Sequence, residues 1–318
     1  MGEQKPFPIP VNYFSIVLGL SALGEAWRFG SEKLGLPSII GDVLLIASSI
    51  IWLIFTLAYV YKWTSYRSQA KDELHNIIQC CFISLLPITT ILTGLAIKPD
   101  FLFLAQVLVG VGIISQLAFA AYRAAGLWRG IHKAEATTPI MYLPTVAANF
   151  VSATALSSFG LTDWAILFFG AGMFSWLSLE AAILQRLRSL GPVAPPLRPI
   201  IGIQLAPAFV GCSTYLSLNG GEVDLFAKLM IGYGLLQLLF LIRLLPWIAE
   251  NGFSPSFWAF SFGLASMASV GLHLEVTSVN HGLGMIGIPM FWFSSICIGI
   301  LIILTLTLLF RGKFFVKS

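Results

Sequence analysis

Charge is the scarcest ingredient of this sequence: Asp, Glu, Lys and Arg make up 10% of its 318 residues, against roughly 25% in a typical globular chain. With 18 basic and 14 acidic side chains, a soluble surface of this size cannot be built, and that class is excluded. Basic blocks are missing too, which removes the electrostatic footprint of a nucleic-acid binder. The four cysteines (Cys80, Cys81, Cys212 and Cys297) lie inside apolar runs with no CxxC pair, so they read as small buried hydrophobes and neither a disulfide frame nor a metal site. Of the four histidines (His75, His132, His273, His281) none belongs to an HExxH motif, and His273 and Glu275 are two residues apart, on different sides of a helix. No nucleophile–base pair is legible, and neither enzymatic activity, a metal nor a cofactor is expected. Gly282 to Gly287 spell GxGxxG, but they precede an apolar run with no acid about twenty positions on, which suits a loop and helix start rather than a dinucleotide site.

What the chain has is apolar length. Hydrophobic residues make up 57% of it, and runs such as Asp42 to Tyr61 or Ile286 to Phe310 are apolar on every face. A hydrocarbon core takes about 20 apolar residues per helix, and alternating strands of an outer-membrane barrel are absent. The reading is an all-α integral membrane protein with spans near 10–30, 37–62, 76–97, 100–124, 139–160, 162–185, 199–219, 222–245, 255–275 and 285–311. The lone lysine before Pro6, Pro8 and Pro10 is not followed by a small-residue cleavage site, so span 1 is expected to remain. With ten spans, only Arg28, Lys33, Lys98 and Lys228 fall on one face and the other 14 of 18 basic residues on the other. The positive-inside rule then places both termini in the cytoplasm. Short outer connections pair the spans as five hairpins, 10–62, 76–124, 139–185, 199–245 and 255–311, in one transmembrane domain covering 1–318. Trp27, Trp52, Tyr61, Trp63, Trp128, Trp164 and Trp247 are expected in the interfacial aromatic belt.

The odd-numbered spans share a central Gly19, Pro87, Pro144, Pro207 or Gly263, recurring at a drifting period of about sixty residues, and the even spans show no such central proline. Proline removes a backbone donor and frees a carbonyl, which lipid tolerates only where protein or water satisfies it. Five such defects at one register predict a quasi-fivefold arrangement with the odd helices inside, around an axis, and the even helices outside. Their middle portions hold Ser15, Ser21, Ser84, Thr89, Thr90, Thr93, Thr145, Asn149, Ser152, Gln204, Ser213, Ser261 and Ser266, but no Lys or Arg. Glu25, Glu275, Glu180 and Asp42 sit near span ends and read as interfacial or locally paired acids. An uncharged passage with a basic cytoplasmic rim suits conduction of anions more than coupled pumping, which calls for an ionisable group in the membrane.

The residues that carry these features also resemble a known family. Val11-Asn12-Tyr13-Phe14-Ser15 to Gly19, Leu86-Pro87, Tyr142-Leu143-Pro144 with Asn149, Arg198-Pro199 with Gln204-Leu205-Ala206-Pro207, and Trp258-Ala259-Phe260-Ser261-Phe262 are similar to the tellurite-resistance and dicarboxylate transporter family, which includes the plant guard-cell slow anion channels. The resemblance spans essentially the whole chain. It implies ten helices in quasi-fivefold hairpins, a homotrimer with one pore per subunit, a bacterial inner membrane, membrane lipid around it, and small inorganic or organic anions as the transported partners. It implies a gate at Phe262, which on composition alone is one core aromatic among 25 phenylalanines. Where many relatives carry proline after this Phe, this chain has Gly263. The pore-lining and kink set is therefore Ser15, Gly19, Pro87, Thr90, Pro144, Asn149, Pro207, Gly263 and Ser266. The family's name also implies the alternative, a proton-coupled carrier of dicarboxylates or tellurite.

Overall fold

The computed structural model describes residues 6–130, 132–277 and 282–315; Lys5, His281 and Lys317 lie outside them. The described chain is helical, with no strand. Its long helices are α1 (Phe14–Leu34), α2 (Ser38–Ser65), α3 (Gln79–Ile97), α4 (Leu102–Leu127), α5 (Pro139–Ser158), α6 (Thr162–Ser189), α7 (Pro195–Leu218), α8 (Leu225–Ile248), α9 (Pro255–Thr277) and α10 (Gly284–Phe310). Among the described residues, nine of them, α2 to α10, are long and apolar enough to cross a membrane. The tenth, α1, is 21 residues long, and Glu25, Arg28, Glu32 and Lys33 in its C-terminal half lower its hydropathy. A short polar helix, Arg67–His75, bridges α2 and α3.

Helices α1, α3, α5, α7 and α9 pack on one another in that cyclic order and close with α9 on α1, while α2, α4, α6, α8 and α10 each pack outside the preceding inner helix. Within the apolar window, 78–83% of residues are buried in α3, α5, α7 and α9 but only 17–33% in the even helices. Lipid tails are as apolar as leucine, so this inside–outside sorting does not come from hydrophobicity; it comes from close van der Waals packing and from small residues that let backbones approach.

Three inner helices begin with a non-α lead that gives way to regular α-helix, and a fourth is interrupted near its start. In α7 a 3₁₀ stretch, Pro195–Leu205, turns into α-helix at Ala206, and in α9 the stretch Pro255–Phe260 does so at Ser261. In α5 a π-turn, Leu143–Ala147, precedes α-helix from Ala148, and α3 resumes as α-helix at Leu85 after one α-helical turn, Gln79–Phe82. Pro87 and Pro207 therefore fall in the first turn of an α segment, where a missing N–H leaves no bond unmade. In place of the anticipated kinks there is a change of helix type just before Pro207 and an interruption of the α-helix just before Pro87.

The two glycines behave differently. Gly19 lies within uninterrupted α1, where a Cβ would come within 2.3 Å of Ser261 Oγ. At Gly263 a Cβ would lie 2.8 Å from Leu205 Cβ and 2.9 Å from the Ala206 nitrogen. Its absence lets α9 lie directly on the 3₁₀–α junction of α7. Gly263→Ala is expected to destabilise the bundle by about 1–3 kcal/mol, because backbone must move to admit the methyl. A thermal midpoint in detergent equal to wild type would contradict this.

The aromatic belt is corrected at one position. Trp27 is 4% exposed and packs edge-on against Phe291 and Trp292, whereas Trp128 and Trp164 are 90% and 60% exposed. Gly284 begins α10, so the GxGxxG segment is a helix start. At the start of α8, Asp224 accepts a bond from the Ala227 backbone N–H, which with the Tyr215 hydroxyl holds its carboxyl below the usual carboxylate range.

Candidate functional site

Two cavities lie on the axis of the inner ring. The wider, about 590 Å³, is lined by all five inner helices and opens at the end where α1 and α3 finish. The narrower, about 30 Å³, has room for about one water and is walled almost entirely by apolar side chains, with Ser15 and Tyr142 among the polar ones. Phe262 lines both, as does Val210. Its ring, 6% exposed, stands in the first turn of the α segment of α9, and Gly263 behind it seats that turn on α7.

Of the residues singled out from the sequence, Ser15 and Pro207 line the narrow cavity, Ser266 the wide one, and Phe262 both. Gly19, Pro87, Thr90, Pro144, Asn149 and Gly263 line neither. Thr90 faces away from the axis: its hydroxyl donates to the Leu86 carbonyl at 2.8 Å and accepts from Trp52 Nε1 of outer helix α2 at 3.1 Å. Asn149 Nδ2 donates to the Thr145 carbonyl at 2.6 Å. Pro144 borders a separate pocket with Arg123 and Cys81. Several hydroxyls expected on the axis turn back onto their own helix, with Ser84 donating to the Cys81 carbonyl, Thr89 to Leu85 and Ser152 to Ala148. Such a bond satisfies the hydroxyl within the helix and leaves it no preference for a polar path.

The wide cavity also draws on Thr154, Ser158, Thr214, Ser217 and Ser269, which the sequence reading passed over, while Glu25, Arg28, Glu32, Lys98 and His273 line it near its mouth. A signal was present in the spacing. Thr154 and Ser158, Ser213 and Ser217, and Ser266, Ser269 and His273 recur at three or four residues, which is one helical face.

Around this end, polar contacts join each inner helix to the next. Arg28 Nη2 donates to the Ala96 carbonyl at 3.1 Å and Lys98 Nζ donates to the Ser158 carbonyl. Thr154 Oγ1 donates to Thr214 Oγ1 at 3.0 Å, Ser213 bonds Ser269 at 3.3 Å, and His273 stacks on Phe29 with ring centroids 4.2 Å apart. The side chains of this circuit also line the wide cavity. Glu25 is tied to Arg28 at 3.2 Å.

Glu180 is more than the locally paired acid anticipated. On outer helix α6, its Oε2 accepts from Trp176 Nε1 at 2.8 Å and from the Tyr142 hydroxyl of α5. Its Oε1 accepts from Gln204 Nε2 of α7 at 2.7 Å and from the Tyr233 hydroxyl of α8. One carboxylate thus joins four helices and fixes Tyr142, a wall of the narrow cavity. Among the described residues, no group of His, Cys, Asp and Glu has the arrangement of a metal site.

Comparison with known proteins agrees with this geometry. The sequence model of the SLAC1 family, described as voltage-dependent anion channel, matches residues 8–311. The chain belongs to this family. It is 44% identical over 320 residues to a tellurite resistance protein TehA homolog of Haemophilus influenzae, covering 100% of this chain and 96% of that protein. It is also 22% identical to an uncharacterized transporter of Methanocaldococcus jannaschii, over 96% of each chain. The family is one of multi-pass membrane transporters and channels, and the identity expected from the residue pattern holds.

Proposed function

We propose that this chain forms an anion channel, with its conduction path along the axis of the inner ring and a closed gate at Phe262. The observation that carries the reading is the position of that ring, which borders both the wide vestibule and the narrow cavity. An aromatic ring across an apolar constriction excludes ions by sterics and by dewetting. Hydroxyls with Arg28 and Lys98 at the wide end offer an anion partial charges without a carboxylate at the constriction.

The same reading takes the chain as one transmembrane domain of ten crossings in a bacterial inner membrane, both termini cytoplasmic, assembled as a homotrimer with a pore in each subunit. Donation from the Tyr13 hydroxyl to the Phe314 carbonyl joins segments near opposite ends of the described chain, which supports an even number of crossings. A proton-coupled carrier of dicarboxylates or tellurite needs a titrating acid on the path. The acids lining the wide cavity are Glu25, already paired with Arg28, and Glu32 at the mouth.

The deciding experiment is voltage clamp of membranes expressing the protein with Phe262 removed, first in chloride and then in gluconate, beside proton-driven uptake of labelled malate or tellurite into liposomes. Chloride current without coupled uptake supports the channel; coupled uptake with electrical silence overturns it. Within the channel reading, Lys98→Glu in the open background is expected to lower chloride current roughly twofold to fivefold at low ionic strength, through two units of charge at the vestibule. Equal currents at matched expression would remove the vestibule from the conduction path.

A further inference from the structure

Away from the axis, a cavity of about 680 Å³ lies between the last turns of α4 and the segment that leads from the Arg67–His75 helix into α3. His75, Arg123, Arg129 and His132 line it, with Cys80 and Tyr122, and no acidic side chain is among its described lining residues. Arg123 spends one donor on the Ile77 carbonyl, Nη2 to O at 2.7 Å. Its Nε is buried with no partner, and so is His132 Nδ1, while His132 Nε2 is held by Thr137 Oγ1 at 3.0 Å. A buried guanidinium nitrogen without an acceptor costs free energy unless something supplies one.

We propose that this cavity binds the headgroup of an anionic phospholipid, with the phosphate accepting from Arg123, Arg129 and His132. Planar guanidinium groups suit phosphate oxygens, and two of them with two imidazoles and no carboxylate select for a strong anion. Lipid is favoured over free phosphate by what adjoins the cavity. Ala121 and Ala125 on the outward face of α4 border it, and the apolar stripe Leu117, Ile114 and Val111 on that helix is exposed. An acyl chain can lie along this stripe while its headgroup turns into the pocket, and Trp128, 90% exposed, lies at the same helix end as an interfacial anchor. The volume also exceeds what a bare phosphate fills. The assignment stands independently of the pore and its gate.

The test uses the full chain purified in an uncharged detergent. Binding of dioctanoyl-phosphatidylglycerol and of dioctanoyl-phosphatidylcholine is followed by native mass spectrometry, with inorganic phosphate as a third probe. Phosphatidylglycerol is expected to bind about tenfold or more tighter than phosphatidylcholine. Arg129 is exposed and makes no ion pair among the described residues, so Arg129→Gln should fold, and it is expected to weaken phosphatidylglycerol about fivefold, as loss of one lipid-facing charge implies. Arg123→Gln added to it should bring the loss to about 25-fold, while Arg123→Lys, which keeps the charge, should recover part of it. Equal affinity for the two lipids overturns the proposal. So does wild-type affinity in a folded Arg129→Gln and Arg123→Gln double variant, or saturation by inorganic phosphate with no binding of phosphatidylglycerol.

Discussion

Replacing Phe262 by alanine is expected to convert a silent membrane into one that carries a steady chloride current, with expression and assembly unchanged. The ring is, with Val210, a wall shared by the wide vestibule and the narrow cavity, so removing it is expected to join them. Current should rise by about tenfold or more, which needs only ~1.4 kcal/mol off the barrier to ion passage. The packing behind the ring should survive, because Gly263 seats α9 on α7 by backbone contact and does not use the Phe262 side chain. Phe262→Leu, which keeps an apolar plug of smaller girth, should fall between the two. Silence of Phe262→Ala at matched surface expression, with uptake also absent, would mean that the constriction lies elsewhere on the axis.

Glu180→Ala should have the largest effect on stability. It leaves Tyr142, Trp176, Gln204 and Tyr233 without their common acceptor. Inter-helix hydrogen bonds in membranes are individually modest, and a donor left buried without a partner costs more than the bond itself returned, so the sum should be about 2–4 kcal/mol. Glu180→Gln, which keeps an acceptor oxygen, should lose less than half as much. Thermal unfolding in detergent gives both numbers, and an alanine variant with an unshifted midpoint would show that the cluster bears no load. Because Tyr142 walls the narrow cavity, Glu180→Ala placed in the Phe262→Ala background should also alter the open current, a readout that a purely peripheral role would leave alone.

The two residues differ in how far the sequence announces them. Phe262 is one of 25 phenylalanines, and composition and spacing give it no distinction; the expectation of a gate there came through the run Trp258-Ala259-Phe260-Ser261-Phe262 and its family likeness, and the structure shows only that its ring borders both cavities. Glu180 was visible as an acid near the end of an apolar span, but three of its four donors lie 38, 24 and 53 residues away along the chain. Proximity of that kind has no local signature.

By itself the sequence determined that this is a helical membrane protein of hairpins, with odd helices inside and even helices outside. Long apolar runs in lipid must satisfy their own backbone groups, which leaves helices as the solution, and a central proline at one register in successive hairpins points to helices packed inside protein. Tertiary structure alone decided which hydroxyls face the axis. A serine or threonine in an apolar setting is content with the carbonyl three or four residues back whichever way its helix faces, so Thr90 and Ser152 look like pore residues until the structure puts them outside both axial cavities. Rotation of each inner helix about its own axis makes that choice, and the rotation is set by close contacts such as Gly263 on Leu205 and Gly19 on Ser261, between residues that only the closed ring brings together.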